Sequence, residues 1–124
     1  PTLDVSSIKI VAVARHPEAP DGETDVTIWY KAKDDNSGLG LVSYALLKPN
    51  GQGLFDYNYH ENFHTPYFVG NPQEFKEYKI QLTLPPGSPP GTWALRELDI
   101  HDKAGNKLTS NFVEIGILKP FKVL

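Results

Sequence analysis

The chain has 124 residues, 40% hydrophobic and 22% charged, with a net charge of −3. That length sets a single domain, 1–124, able to remove about two-thirds of its unfolded surface from water and to fold without staples. Usage this ordinary indicates neither a disordered nor a membrane class. The 12 basic residues are scattered along the sequence and leave no electrostatic footprint for nucleic acid or acidic lipid.

No apolar run approaches the roughly 20 residues of a membrane helix, so no membrane insertion by this segment is expected. Cysteine is absent, which excludes disulfides, thiolate metal sites and thiol catalysis within the chain. Methionine is absent too and the chain opens at Pro1, so we expect a module of a longer polypeptide.

Eleven prolines and ten glycines divide the sequence into short segments that alternate with period two more often than 3.6, which predicts an all-β chain. Leu3, Val5, Ile8, Ile10, Val11 and Val13 predict a first strand, split in two or continuous, broken after Ala14 by His16-Pro17 and Ala19-Pro20-Asp21-Gly22. From Thr24 to Lys33, Val26, Ile28, Tyr30 and Ala32 share one face and Asp25, Thr27, Trp29 and Lys31 the other, which is the clearest strand. Asp34-Asp35-Asn36-Ser37-Gly38 is a turn. Leu39 to Leu47 is a third strand, closed by Lys48-Pro49-Asn50-Gly51, and Leu54 to Tyr59 a fourth.

An aromatic stretch without a clean period follows. Tyr78, Ile80, Leu82 and Leu84 then alternate with polar residues up to the Pro85–Gly91 break. In the next strand Trp93 and Leu95 share one face while Leu98 and Ile100 have the opposite parity. A continuous inward face therefore needs one extra residue, a bulge near Arg96-Glu97. Asp102 to Asn106 is a hairpin turn in which Gly105 takes positive φ. The return strand is expected over Leu108 to Leu118, stopped by Pro120. About seven such strands, with no helical segment, predict two packed antiparallel sheets.

Four pieces in this order, Lys31-Ala32-Lys33-Asp34-Asp35-Asn36-Ser37-Gly38, Lys48-Pro49-Asn50-Gly51, Pro90-Gly91-Thr92-Trp93 and Asp102-Lys103-Ala104-Gly105-Asn106, resemble the bacterial immunoglobulin-like modules of secreted and cell-surface proteins, a group that includes fibronectin III-like and cadherin-like sandwiches. The resemblance spans residues 3 to 118. It implies an immunoglobulin-like β-sandwich, an extracellular or cell-surface location, and a non-catalytic role as spacer or in adhesion, with other domains of the parent chain or an extracellular protein as partners. Two features depart from the pattern. No cysteine pair joins the sheets, and the insertion at about residues 53–75 is long and aromatic.

Three constellations carry candidate chemistry. His60-Glu61-Asn62-Phe63-His64 has the spacing of a zinc hydrolase helix. Its flanks favour strand or loop and Pro66 denies a helix room to continue, so we expect an extended segment, no catalytic zinc and no enzyme. Asp34, Asp35 and Asn36 in one loop, with Asp102 and Asn106 in another at the same end of such a sandwich, offer oxygen ligands for a weak structural calcium ion. Turn capping is the ordinary role of the same residues, and beyond this ion no cofactor is expected.

Phe55, Tyr57, Tyr59, Phe63, Tyr67, Phe68 and Phe75 concentrate rings in one insertion, suited to stacking on sugars, to a protein interface, or to a small core of their own. Trp29, opposite in parity to Ile28 and Tyr30, is the sharper candidate for an outward-facing ring. The second function carried forward is accordingly a carbohydrate-binding accessory module of a secreted enzyme, and a small zinc hydrolase is third.

Overall fold

A computed structural model describes residues 2–18, 22–33, 39–49, 54–60, 75–102, 105–116 and 119–123. Eight strands are present among them: β1 (Thr2–Ala14), β2 (Thr24–Lys33), β3 (Leu39–Leu47), β4 (Leu54–His60), β5 (Lys76–Leu84), β6 (Gly91–Asp102), β7 (Lys107–Asn111) and β8 (Lys119–Val123). They form a three-stranded sheet in the order β1-β2-β5 and a second sheet in the order β4-β3-β6-β7, with β8 also on β6. Every pairing is antiparallel. β7 runs along Glu97–His101 of β6 and β8 along Gly91–Leu95. The two lie end to end on one edge, so eight segments occupy seven strand positions. The fold is an immunoglobulin-like β-sandwich.

Alternation builds the core. In β2, Thr24, Val26, Ile28, Tyr30 and Ala32 are buried and the residues between them are not. Ile80 and Leu84 continue that inner face on β5 and Ile8 on β1, while Val42, Tyr44, Leu46, Trp93, Leu95, Leu98, Ile100, Phe112, Phe121 and Val123 supply the opposing one. β8 also lies beside β1, closing one side of the sandwich.

β6 organises its sheet, pairing with β3 on one side and with both β7 and β8 on the other. Its bulge falls where the parity of the sequence changes. Ala45 faces Glu97 and Leu46 faces Leu95, leaving Arg96 as the extra residue. Trp93, Leu95, Leu98 and Ile100 are all buried as a result. Trp93 is the largest buried side chain, 1% exposed. Its indole Nε1–H donates to the Pro89 carbonyl at 2.8 Å, and its ring tilts 32° from that of Phe121 with centroids 6.2 Å apart. β1 is one strand rather than two, with a register irregularity between Asp4 and Lys9. There the Ser7 hydroxyl donates to the Asp4 carbonyl and accepts from the Lys31 N–H.

The expected single return strand from Leu108 to Leu118 is not what forms. β7 ends at Asn111, whose side-chain oxygen accepts from the N–H groups of Val113 and Glu114 at 3.1 Å each. A turn runs on to Gly116 at φ 76. The cause lies across the ladder. The bulge displaces the Arg96 carbonyl, and the Phe112 N–H takes it at 2.7 Å while the Phe112 ring enters the core. Pro120, expected to stop a strand, sits inside β8 opposite Ala94. An edge strand tolerates a proline because its outer side needs no ladder donor.

Candidate functional site

The outward residues of β2 are Asp25, Thr27, Trp29, Lys31 and Lys33, and they stand in the middle of the three-stranded sheet. Register brings β1 and β5 to them in rungs. Lys9 and Lys79 lie directly opposite Trp29 on either side, Val11 and Gln81 flank Thr27, Val13 and Thr83 flank Asp25, and Glu77 faces Lys31. Directly opposed residues of antiparallel strands project to the same face, so each rung is a row of neighbouring side chains.

Trp29 is half-buried. The Lys9 ammonium stands 5.5 Å from the centre of its ring, within cation–π range. Lys79 is its exposed partner across the other ladder. Beyond Lys31, Lys33 places its ammonium 4.9 Å over the ring of Phe75, which is 41% exposed. Lys9, Lys31, Lys33 and Lys79 thus surround two aromatic rings on one sheet face, with Glu77 among them, in a chain of net charge −3. Asp4, paired in register with Lys31, directs its carboxylate to the N–H and hydroxyl of Ser6.

The other end of the same face is different in kind. Val11 and Val13 are exposed there, and Arg15 binds Asp25 through both carboxylate oxygens, with Nη2 at 2.6 Å and Nε at 3.2 Å. Thr83 donates to Asp25 and accepts from Arg15, and Glu23 takes Arg15 Nη1 at 2.9 Å. The Arg15 and Thr83 hydrogen bonds hold the Asp25 carboxyl below its ordinary value. Here a single cation, Arg15, is met by two carboxylates. The lysine end presents a surplus.

The predicted candidates are not brought to one place. Trp29 lies in the three-stranded sheet, whereas Phe55, Tyr57 and Tyr59 belong to β4, the edge strand of the other sheet. Phe55 pairs with Leu46, Tyr59 with Ser43, and Tyr57 falls in the irregular part of that ladder. Phe63, Tyr67 and Phe68 lie outside the described residues, as do Glu61 and His64; His60 is the last residue of β4, in extended backbone opposite Val42.

Asp34, Asp35 and Asn36 are likewise outside the described residues. Leu39 pairs with Asp102, so the chain enters β3 and leaves β6 at one end of the sheet. There the Asp102 carboxylate accepts from Asn106, Oδ1 from the backbone N–H and Oδ2 from the side-chain amide, both at 2.8 Å. The Asp102 N–H donates back to the Asn106 carbonyl at 2.9 Å. Those contacts make a turn cap.

No protein-family model matches the chain, and no curated protein matches it. Among solved structures, the chain is similar to the X-ray structure of the Northeast Structural Genomics Consortium target SoR45, at TM-score 0.53 and 12% identity over 98% of this chain and 84% of that one. At that identity the likeness is one of fold. A second structure, solved as a candidate ApaA protein from Bordetella pertussis, overlaps at TM-score 0.47 and 11% identity over 98% of this chain and 93% of that one, too distant to carry weight.

Proposed function

We propose that this chain is a non-catalytic immunoglobulin-like module of a bacterial extracellular or cell-surface protein, which positions neighbouring domains or contacts an extracellular partner. The observation that supports it is how three of the described acidic side chains are used. Asp4 is held by Ser6, Asp25 by Arg15 and Thr83, and Asp102 by Asn106, each within its own turn or rung. Side chains so engaged serve the frame, and the inner faces of both sheets are given over to one apolar cluster.

Metal analysis of the purified chain, with a broad hydrolase screen of wild type and Glu61→Gln, tests the non-catalytic assignment. We expect neither stoichiometric zinc nor turnover. Zinc with an activity lost in Glu61→Gln would overturn it.

One observation favours a second reading, a carbohydrate-binding accessory module. Trp29 is turned out of the core onto a rigid sheet face, with lysines on both sides of its ring. An outward-facing indole in such a frame is a platform for the C–H face of a sugar.

A further inference from the structure

We infer that the lysine end of the β1-β2-β5 face binds an acidic polysaccharide, a chain of sugar rings bearing carboxylates, with Trp29 as the stacking platform and Lys9, Lys79, Lys31 and Lys33 as its anion partners. The inference rests on the second reading above and assigns the ligand class.

Neighbouring strands are about 4.8 Å apart and alternate residues of one strand about 6.7 Å apart. Lys9 and Lys79 therefore stand roughly 10 Å from each other with Trp29 between them. Along β2, Trp29, Lys31 and Lys33 form a line of roughly 13 Å. Cations are thus repeated on both axes of the sheet face, with Asp4 and Glu77 on the Lys31 rung, around a ring that offers contact to a ring. A polyuronate repeats the same two features, a pyranose and a carboxylate per unit.

Three other anion classes fit less well. A lipid surface is met by an amphipathic helix or a protruding tip that reaches the acyl boundary, whereas Trp29 is central to its sheet with Lys9 over its ring. Single-stranded nucleic acid is tracked by successive stacking rings along a basic groove, whereas here the rings do not follow one strand: Trp29 is the outward ring of β2 and Phe75 stands beside Lys33, just before β5 begins. An acidic peptide offers the charges but no ring face for the indole.

The lysine–indole contact suits exchange. Lys9 covers Trp29 at 5.5 Å in the free protein. A long flexible ammonium can move from the ring to a carboxylate without disturbing the ladder, which bares the platform as the ligand arrives. At the far end Arg15 is instead engaged by Asp25 and Glu23.

The test is calorimetric titration and affinity electrophoresis of the whole chain with polygalacturonate, set beside neutral xylan, polyglutamate, oligodeoxythymidylate and phosphatidylserine vesicles. The variants are Trp29→Ala, the double exchange Lys9→Gln with Lys79→Gln, and a remote control, Lys107→Gln with Lys122→Gln, exposed on the other sheet. All are surface changes whose fold is checked by circular dichroism.

We expect polygalacturonate binding that weakens steeply with salt, falls about tenfold or more in Trp29→Ala and in the Lys9/Lys79 variant, loses part of its salt slope in the latter, and is unmoved in the control. Xylan bound as well as polygalacturonate, dependent on Trp29 but not on the lysines, would overturn the acidic ligand and keep the carbohydrate reading. A folded wild type that binds neither glycan overturns both. Polyglutamate, oligodeoxythymidylate or vesicles bound as tightly as polygalacturonate would overturn the inference in favour of that anion.

Discussion

The two tryptophans provide a direct test of which face of each sheet is inside. Trp93→Ala removes the largest buried side chain, and with it the ring pairing to Phe121 and the donor to the Pro89 carbonyl. Transfer and cavity formation for a buried tryptophan cost about 3–5 kcal/mol, and the lost ring pair and hydrogen bond bring the expectation to about 4–6 kcal/mol. A domain of this size has about 5–15 kcal/mol in all, so the variant should lose a large share of its stability. Trp93→Phe keeps a ring for Phe121 and loses the indole donor and part of the volume, for about 1–3 kcal/mol. Trp29→Ala forfeits a contact with Lys9 on a half-buried outer face, about 1 kcal/mol or less. Urea unfolding followed by backbone circular dichroism reads all three without depending on indole fluorescence. At a slope near 2 kcal/mol per molar, the Trp93→Phe midpoint should fall by about 1 M and that of Trp29→Ala by about half of that at most. A Trp29→Ala loss equal to or above that of Trp93→Phe would refute the assignment of inner and outer faces.

Gly105 has φ +95, and a Cβ built there meets nothing within 4 Å. Gly105→Val should therefore cost about 1 kcal/mol or more through backbone strain alone; an unchanged melting temperature would count against this account of the turn. Asp102→Ala removes both acceptors that Asn106 uses and should cost about 1–3 kcal/mol. Because those oxygens are already engaged, added calcium should leave the wild-type melting temperature where it is, and a clear rise would point to an ion at this end. Burial raises the Tyr78 phenol above its ordinary value of 10.0. Its neutral form is thus favoured by folding, and the associated stability is present below about pH 10 and lost as pH rises through the raised value. A spectrophotometric tyrosine titration should show a late component whose amplitude falls in Tyr78→Phe.

The inner and outer faces of β2 could be read directly, because five buried residues alternate with five that are not, and a one-residue slip would have exposed them all. The Arg96 bulge was legible for the same reason: four apolar residues of mixed parity share one interior only if a residue is looped out. The end of β7 was not. Phe112, Val113, Ile115 and Ile117 look like one apolar strand in sequence, yet Phe112 is buried while Val113 and Ile115 are 49% and 50% exposed. What divides them is the Arg96 carbonyl, which becomes visible as a partner for Phe112 only once β6 and β7 are paired. A local cue was present in Asn111 and Gly116, an acceptor that starts a turn and a glycine that ends it in positive φ. Apolar composition outweighed it.

The candidate site separates in the same way into a local part and a non-local part. That Trp29 points away from Ile28 and Tyr30 follows from three consecutive residues. That Lys9 and Lys79 share its rung depends on the registers of two ladders, each set by the inward faces of β1, β2 and β5 rather than by anything near the lysines. Basic residues dispersed along a chain of net charge −3 gave no sign of a basic surface. Antiparallel pairing gathers four of them because outward positions of edge and central strands fall into common rows whatever their distance in sequence. The opposite end of the face shows that pairing alone does not leave charge over. There the same geometry sets Arg15 against Asp25 and Glu23, and the guanidinium is matched at once. At the lysine end the acidic members, Asp4 and Glu77, both fall on the Lys31 rung, so the surplus that faces solvent is written in the choice of Lys9 and Lys79 beside Trp29, positions where the inner core places no demand.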